Sequence, residues 1–207
     1  MTAKFIIESF WQKADNCTTI VLIKAALLTY GIGKVFNVKK TNGYHLITLK
    51  DKRMLLLTDV EIRKINTNSK ILFARPHDPA KKNRLKKLRQ YVELCFAVIV
   101  RNLQLHGYNG NEFTLSSALK QLTREGMQND HIHQLLGLKR KSRTAHKLSD
   151  KHLQLFRRKK AVLLYSNPHI TIVSGGYYED FGKSVKLGED IPVLKGEKAK
   201  HWFEIKK

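Results

Sequence analysis

The sequence predicts an α+β fold, and three features of it carry that prediction. Residues 17–30 are apolar on nearly every face of a helix, with Lys24 the one charge among them. Residues 34–65 break into short β-like runs separated by turn residues. After a helical middle, the last quarter returns to β-like runs, so strands and helices are grouped rather than alternating. A chain of 207 residues, 42% apolar and 9% aromatic, has enough material for one good core, which excludes wholesale disorder.

The first helix is bounded at both ends. Asp15 and Asn16 precede it as capping residues, and Gly31 and Gly33 follow it, where glycine readily takes the left-handed conformation that closes a helix. Runs at 35–38, 44–49 and 54–57, with turns at 41–43 and 50–53, predict a small antiparallel sheet. Residues 66–80 hold Pro76 and Pro79 and read as an irregular linker in which Ile71, Leu72 and Phe73 pair briefly. Residues 82–105 place Leu85, Leu88, Val92, Cys95, Ile99 and Leu103 close to a 3.6-residue period, the pattern of a long helix. Shorter helices are expected over 113–122, 130–136 and 150–156, and strands at 161–165, 169–174, 184–187 and 201–205, with Gly175-Gly176 as a turn. The organisation is one domain over 1–207, with a helix-rich half over 1–106 and a β-rich half over 107–207.

Composition narrows the functional classes. Lys and Arg number 39 against 17 Asp and Glu, a formal charge of +22, which calls for a nucleic acid, another polyanion or an acidic protein as partner. Two cysteines make neither a disulfide scaffold nor a structural zinc site. Acidic residues do not cluster, and beside His131-Ile132-His133 the sequence offers only the single carboxylate of Asp130, so no metal or other cofactor is expected. No apolar run reaches the ~20 residues of a membrane span, and residues 1–12 lack the pattern of a signal peptide, which leaves a cytoplasmic location or export without one.

Cys17 is the residue with most chemical promise. At the first turn of a buried helix, unpaired N–H groups and the helix dipole favour a thiolate, the form of cysteine that attacks carbonyl carbon. Cys95, between Leu94 and Phe96 in mid-helix, is the inert contrast. Gln12, five residues before Cys17, carries an amide able to hold an oxyanion, and His169 opens a strand that can pack on the helix and act as base and acid. Asp180, or else Asp190, would orient its ring.

Residues 12–27, from Gln12 through Asp15-Asn16-Cys17 into the apolar helix, resemble the nucleophile helix of papain-like cysteine peptidases, nearest to the calpain branch. The likeness continues through the hairpin region with Leu55-Leu56-Leu57-Thr58-Asp59-Val60, the long helix that follows, Ala118-Leu119-Lys120-Gln121-Leu122-Thr123, and His169-Ile170-Thr171-Ile172-Val173. It rests on element order more than on identities. The Gln-to-Cys spacing is one residue shorter than the family pattern, Thr18 replaces the usual aromatic, and no Asn-Pro-Trp follows His169. The resemblance implies a cysteine hydrolase acting on protein amide bonds, with Cys17, His169 and Asp180 as triad, Gln12 in the oxyanion hole and a protein as substrate. No carboxylate cluster supports carrying over calcium dependence.

Three basic runs offer a second reading, a module docking on nucleic acid or an acidic protein. They comprise Lys81, Lys82, Arg84, Lys86, Lys87 and Arg89; then Lys139, Arg140, Lys141 and Arg143; then Arg157 and Arg158 with the two lysines after them. No zinc finger, aromatic RNA-binding motif or helix-turn-helix pattern accompanies them. A small basic hydrolase would also suit an effector or toxin held by an acidic partner.

Overall fold

The computed structural model describes residues 2–12, 17–108, 110–125, 132–144, 154, 156–158, 161–166, 169–180, 182–187 and 201–206, with Cys17, Arg124, Glu125, Arg143, Thr144, Ser166, His169 and His201 described by their backbone alone. Within these residues the chain is mixed α+β with antiparallel sheets.

Helix α1 (Ala3–Ser9) starts where the Thr2 hydroxyl accepts the Phe5 N–H, a cap that the sequence reading did not use. It runs into β1 (Phe10–Gln12). Helix α2 (Cys17–Tyr30) has the expected limits, and Ile20 through Ala26 are all buried, so the apolar circumference is matched by neighbours on several sides. It stops where Gly31, at φ 91°, donates its N–H to the Leu27 carbonyl.

Strands β2 (Asn37–Thr41), β3 (Tyr44–Thr48) and β4 (Met54–Thr58) form the expected antiparallel meander. Ile47, Leu55 and Leu57 point into the core while Met54 and Leu56 face out, the period-two signature of a half-buried sheet. The β pattern ends sooner than residue 65. Thr58 and Glu61 form a reciprocal capping box that starts α3 (Asp59–Thr67), because satisfying the free N–H groups there outweighs the β-like composition. Strand β5 (Ile71–Phe73) pairs with β1, bringing Gln12 opposite Ile71. Helix α4 (Pro79–His106) begins three residues before its expected start, since Asp78 caps it and Pro79 occupies the first turn without losing a hydrogen bond. Its face bearing Leu88, Val92, Cys95, Phe96, Ile99 and Leu103 is buried. Helix α5 (Leu115–Lys120) is capped by Thr114.

The last third builds a six-stranded antiparallel sheet from β6 (Lys139–Thr144), β7 (Val162–Ser166), β8 (His169–Ser174), β9 (Tyr177–Asp180), β10 (Lys183–Lys186) and β11 (His201–Lys206), in the order β10-β9-β8-β7-β11-β6. Strand β6 has no apolar alternation; it is an edge strand held by main-chain pairing to β11, and its lysines guard that edge. Leu163, Ile170, Ile172, Phe203 and Ile205 turn toward α2 and join the main core, which draws residues from Ile6 to Ile205. Val162, Leu164, Val173, Tyr178 and Trp202 take the other face, with Phe156 and Leu187, as a second cluster.

Candidate active site

Helix α2 is oriented by two polar anchors on its flank. Midway along it, the fully buried Lys24 donates to the Ile7 carbonyl at 2.8 Å, pairs with the Glu179 carboxylate and lies 5.1 Å from the centre of the Phe10 ring. Burial pushes the Lys24 pKa down, against the opposing pull of Glu179. The pairing Val173↔Tyr178 sets Glu179 beside Ile172 on β8. At the end of α2, the Tyr30 hydroxyl donates to the Lys206 carbonyl. The pairings Glu204↔Val162 and Val162↔Val173 put Lys206 at the end of the sheet where β8 finishes. Helix α2 therefore runs alongside β8 in the same sense. Its fourteen residues span about 20 Å and the six residues of β8 about 17 Å, so the backbone of Cys17 and that of His169 stand at the same end of the sheet.

The neighbouring Trp11 packs against Gly182, between β9 and β10 at that end of the sheet, and the Gln12 Nε2 donates to the Ser69 carbonyl at 2.9 Å. One of its two N–H groups is thereby committed, and its Oε1 is buried without a partner among the described residues. Asp180 is not brought to the α2 side. It shares the opposite sheet face with Tyr178, whose phenol burial pushes up with a smaller contribution from the Asp180 charge, while Glu179 takes the α2 side. Asp190 lies outside the described residues, as do Asp15, Asn16 and His131. Cys95 is fully buried on α4 and burial pushes its thiol far up, the opposite of an activated nucleophile.

The basic runs are dispersed. Lys81, Lys82, Arg84, Lys86, Lys87 and Arg89 are exposed on the first turns of α4, where Arg89 pairs with Glu93 at 2.8 Å and covers the Phe73 ring at 5.1 Å. About 20 Å of helix separates Arg89 from Asn102, which donates to the Leu135 carbonyl just ahead of β6. On β6, Lys139 and Lys141 are exposed and Arg140 lies 5.4 Å from the Phe203 ring. Arg157 donates to the Leu187 carbonyl next to β10, the other edge of the sheet, and Arg158 is exposed beside it. The three runs thus occupy one helix end and two opposite sheet edges rather than one continuous face.

Two pairs escaped the sequence reading. Lys24–Glu179 was foreshadowed by a lone charge in an otherwise apolar helix, a position that demands a partner. His45 meets Asp59 at 2.6 Å, a bond between β3 and α3 that holds the Asp59 carboxyl below its ordinary value, with Lys40 and Arg63 adding to it. Among the described residues no group of three or more His, Cys, Asp and Glu could hold a metal ion, and no helix is long and apolar enough to cross a membrane. No protein-family profile, no curated protein and no solved structure matches the chain.

Proposed function

We propose that the chain is a cysteine hydrolase of papain-like architecture acting on amide bonds of proteins, by cleavage, deamidation or acyl transfer. The observation that carries this reading is the parallel course of α2 and β8, which gives the start of the nucleophile helix and the start of the histidine strand a common end of the sheet. The Gln12 amide, fixed by Ser69, supports it.

In this reading the Cys17 thiolate, favoured by the free N–H groups of the α2 terminus, attacks the amide carbonyl. The Cys17 N–H and the second N–H of Gln12 receive the oxyanion. His169 takes the thiol proton and returns it to the leaving amine, and water then releases the acyl group by the same route in reverse. With Asp180 on the far face of the sheet, ring orientation falls to another group, Asp190 remaining in place from the sequence.

Iodoacetamide labelling near pH 6, read by peptide mass spectrometry, tests the reading. Cys17 is expected to be modified in the folded protein while Cys95 is not, and His169→Ala is expected to move Cys17 labelling to higher pH. Equal resistance of both thiols, or labelling indifferent to His169, would return Cys17 to a packing role.

A basic docking module is the second reading. It is favoured by the exposed cationic turns at the start of α4, where the one ion pair among the described residues is Arg89–Glu93. An acidic protein or a nucleic acid would meet that helix end, and salt-sensitive binding lost on neutralising Lys86 and Lys87 would identify it.

A further inference from the structure

At the opposite end of α2 from Cys17, several chain segments meet around a recess of about 500 Å³ lined by Tyr30, Lys34, Lys50, Gly137, Lys139 and Lys206. Its walls are held by tertiary contacts. Tyr30 ties the end of β11 through the Lys206 carbonyl, and the Lys50 ammonium sits 5.2 Å from the centre of the Tyr30 ring. Gly137 adopts φ 65°, and a Cβ there would stand 2.7 Å from the Leu49 Cβ and 2.8 Å from Asp51 Oδ1. Only glycine lets the chain entering β6 come this near the β3–β4 turn, and that approach brings Lys139 and Lys50 to the same recess.

Four lysines border this recess, all of them exposed, and none forms an ion pair with a carboxylate among the described residues. Of the carboxylates nearest along the chain, Asp51 binds Arg53 at 2.6 Å, and Glu204 stands opposite Lys141 in the β11–β6 pairing. The C-terminus of α2 offsets only about half an elementary charge. Collecting four like charges in one concavity opposes folding unless an anion joins them.

We infer that this recess binds a compact polyphosphate. Lysines present separate point charges rather than the planar fork that selects a single carboxylate or phosphate, so a ligand engaging all four carries several anionic groups in series. The volume is that of a small-molecule site, too confined for a duplex. The site stands apart from the proposed nucleophile, about 20 Å along α2, and does not depend on it.

Calorimetric titration of the full chain with inorganic tripolyphosphate, and separately with ATP, at about 0.15 M salt tests the assignment. One saturable site is expected, with orthophosphate binding at least about 100-fold more weakly. The double variant Lys50→Gln/Lys139→Gln should weaken tripolyphosphate at least about tenfold, whereas Lys86→Gln/Lys87→Gln, which removes the same charge from α4, should change it less than about twofold. Equal affinity for the two probes assigns the site to the phosphate chain itself, and tighter ATP to a nucleoside polyphosphate. Equal losses in the two double variants, or no saturable binding by about 1 mM, would overturn the proposal and reduce the effect to net charge.

Discussion

The two ends of α2 handle charge in opposite ways. At the Cys17 end, the helix terminus offers only main-chain N–H groups that have no partner within the helix. At the Tyr30 end positive potential comes from four lysine side chains gathered from distant parts of the chain. Between them Lys24 is buried with its own carboxylate. The lysine buried among the described residues has a partner, whereas with 39 Lys and Arg against 17 Asp and Glu most surface cations can have none.

The largest test of that contrast is the buried pair. Glu179→Ala leaves the Lys24 ammonium buried without its counter-charge and is expected to cost about 3–5 kcal/mol, read as a fall in denaturant midpoint at unchanged slope. The loss should shrink as pH rises toward the ordinary lysine value of 10.5, because a buried lysine with a lowered pKa penalises folding below that value and the penalty is relieved as the unfolded chain also loses its proton. A loss under about 1 kcal/mol would mean that the pair behaves as a surface ion pair.

Next in size is Gly137→Ala. Positive φ and a Cβ at 2.7 Å from Leu49 together predict a loss of about 1–3 kcal/mol. The same substitution should also weaken tripolyphosphate, since the segment carrying Lys139 would retreat from the recess; a stable variant with intact binding would show that the close approach does not build the recess.

Much of this arrangement was readable in the sequence, for reasons that can be named. The bounds of α2 were legible because its apolar circumference stops abruptly at Gly31, and β8 because turn residues flank an apolar run. Strand β6 was not, since Lys139-Arg140-Lys141-Ser142-Arg143-Thr144 carries no periodicity and becomes a strand only when β11 pairs with it. Helix α3 was hidden by its β-like neighbours, although Thr58 and Glu61 stood at capping-box spacing. At the candidate site, Cys17, Gln12 and His169 were nameable from local pattern, whereas the face on which Asp180 falls depends on the register of β9, which no local pattern encodes. The four-lysine recess was invisible for the same reason, its members being drawn together by contacts remote in sequence.

The two cysteines sharpen the contrast further. Cys95 is buried and its thiol pushed up from 9.0, so the folded protein keeps the proton while the unfolded chain gives it up above that pH. Its contribution is intact below pH 9 and is lost as pH rises beyond, by about 1.4 kcal/mol per unit. The stability difference between wild type and Cys95→Ala should therefore narrow at that slope in alkaline denaturation, and a constant difference would place the thiol in contact with water.

The smallest expected effect is the one that separates the two kinds of lysine most cleanly. Lys50→Gln/Lys139→Gln removes two exposed, like-charged groups that have no carboxylate partner among the described residues, so stability without ligand should change by no more than about 0.5 kcal/mol and is expected to rise. The Lys50 contact with Tyr30 acts in the other direction, but at an exposed site such a contact contributes only about 0.5–1 kcal/mol, against relief of repulsion from Lys34 and Lys206. Low ionic strength enlarges that repulsion, so any gain in melting temperature should be greatest there and fade in salt. A clear destabilisation, insensitive to salt, would show that these lysines hold the fold together as Lys24 does, and the distinction between paired interior and unpaired surface cations would fail at this recess.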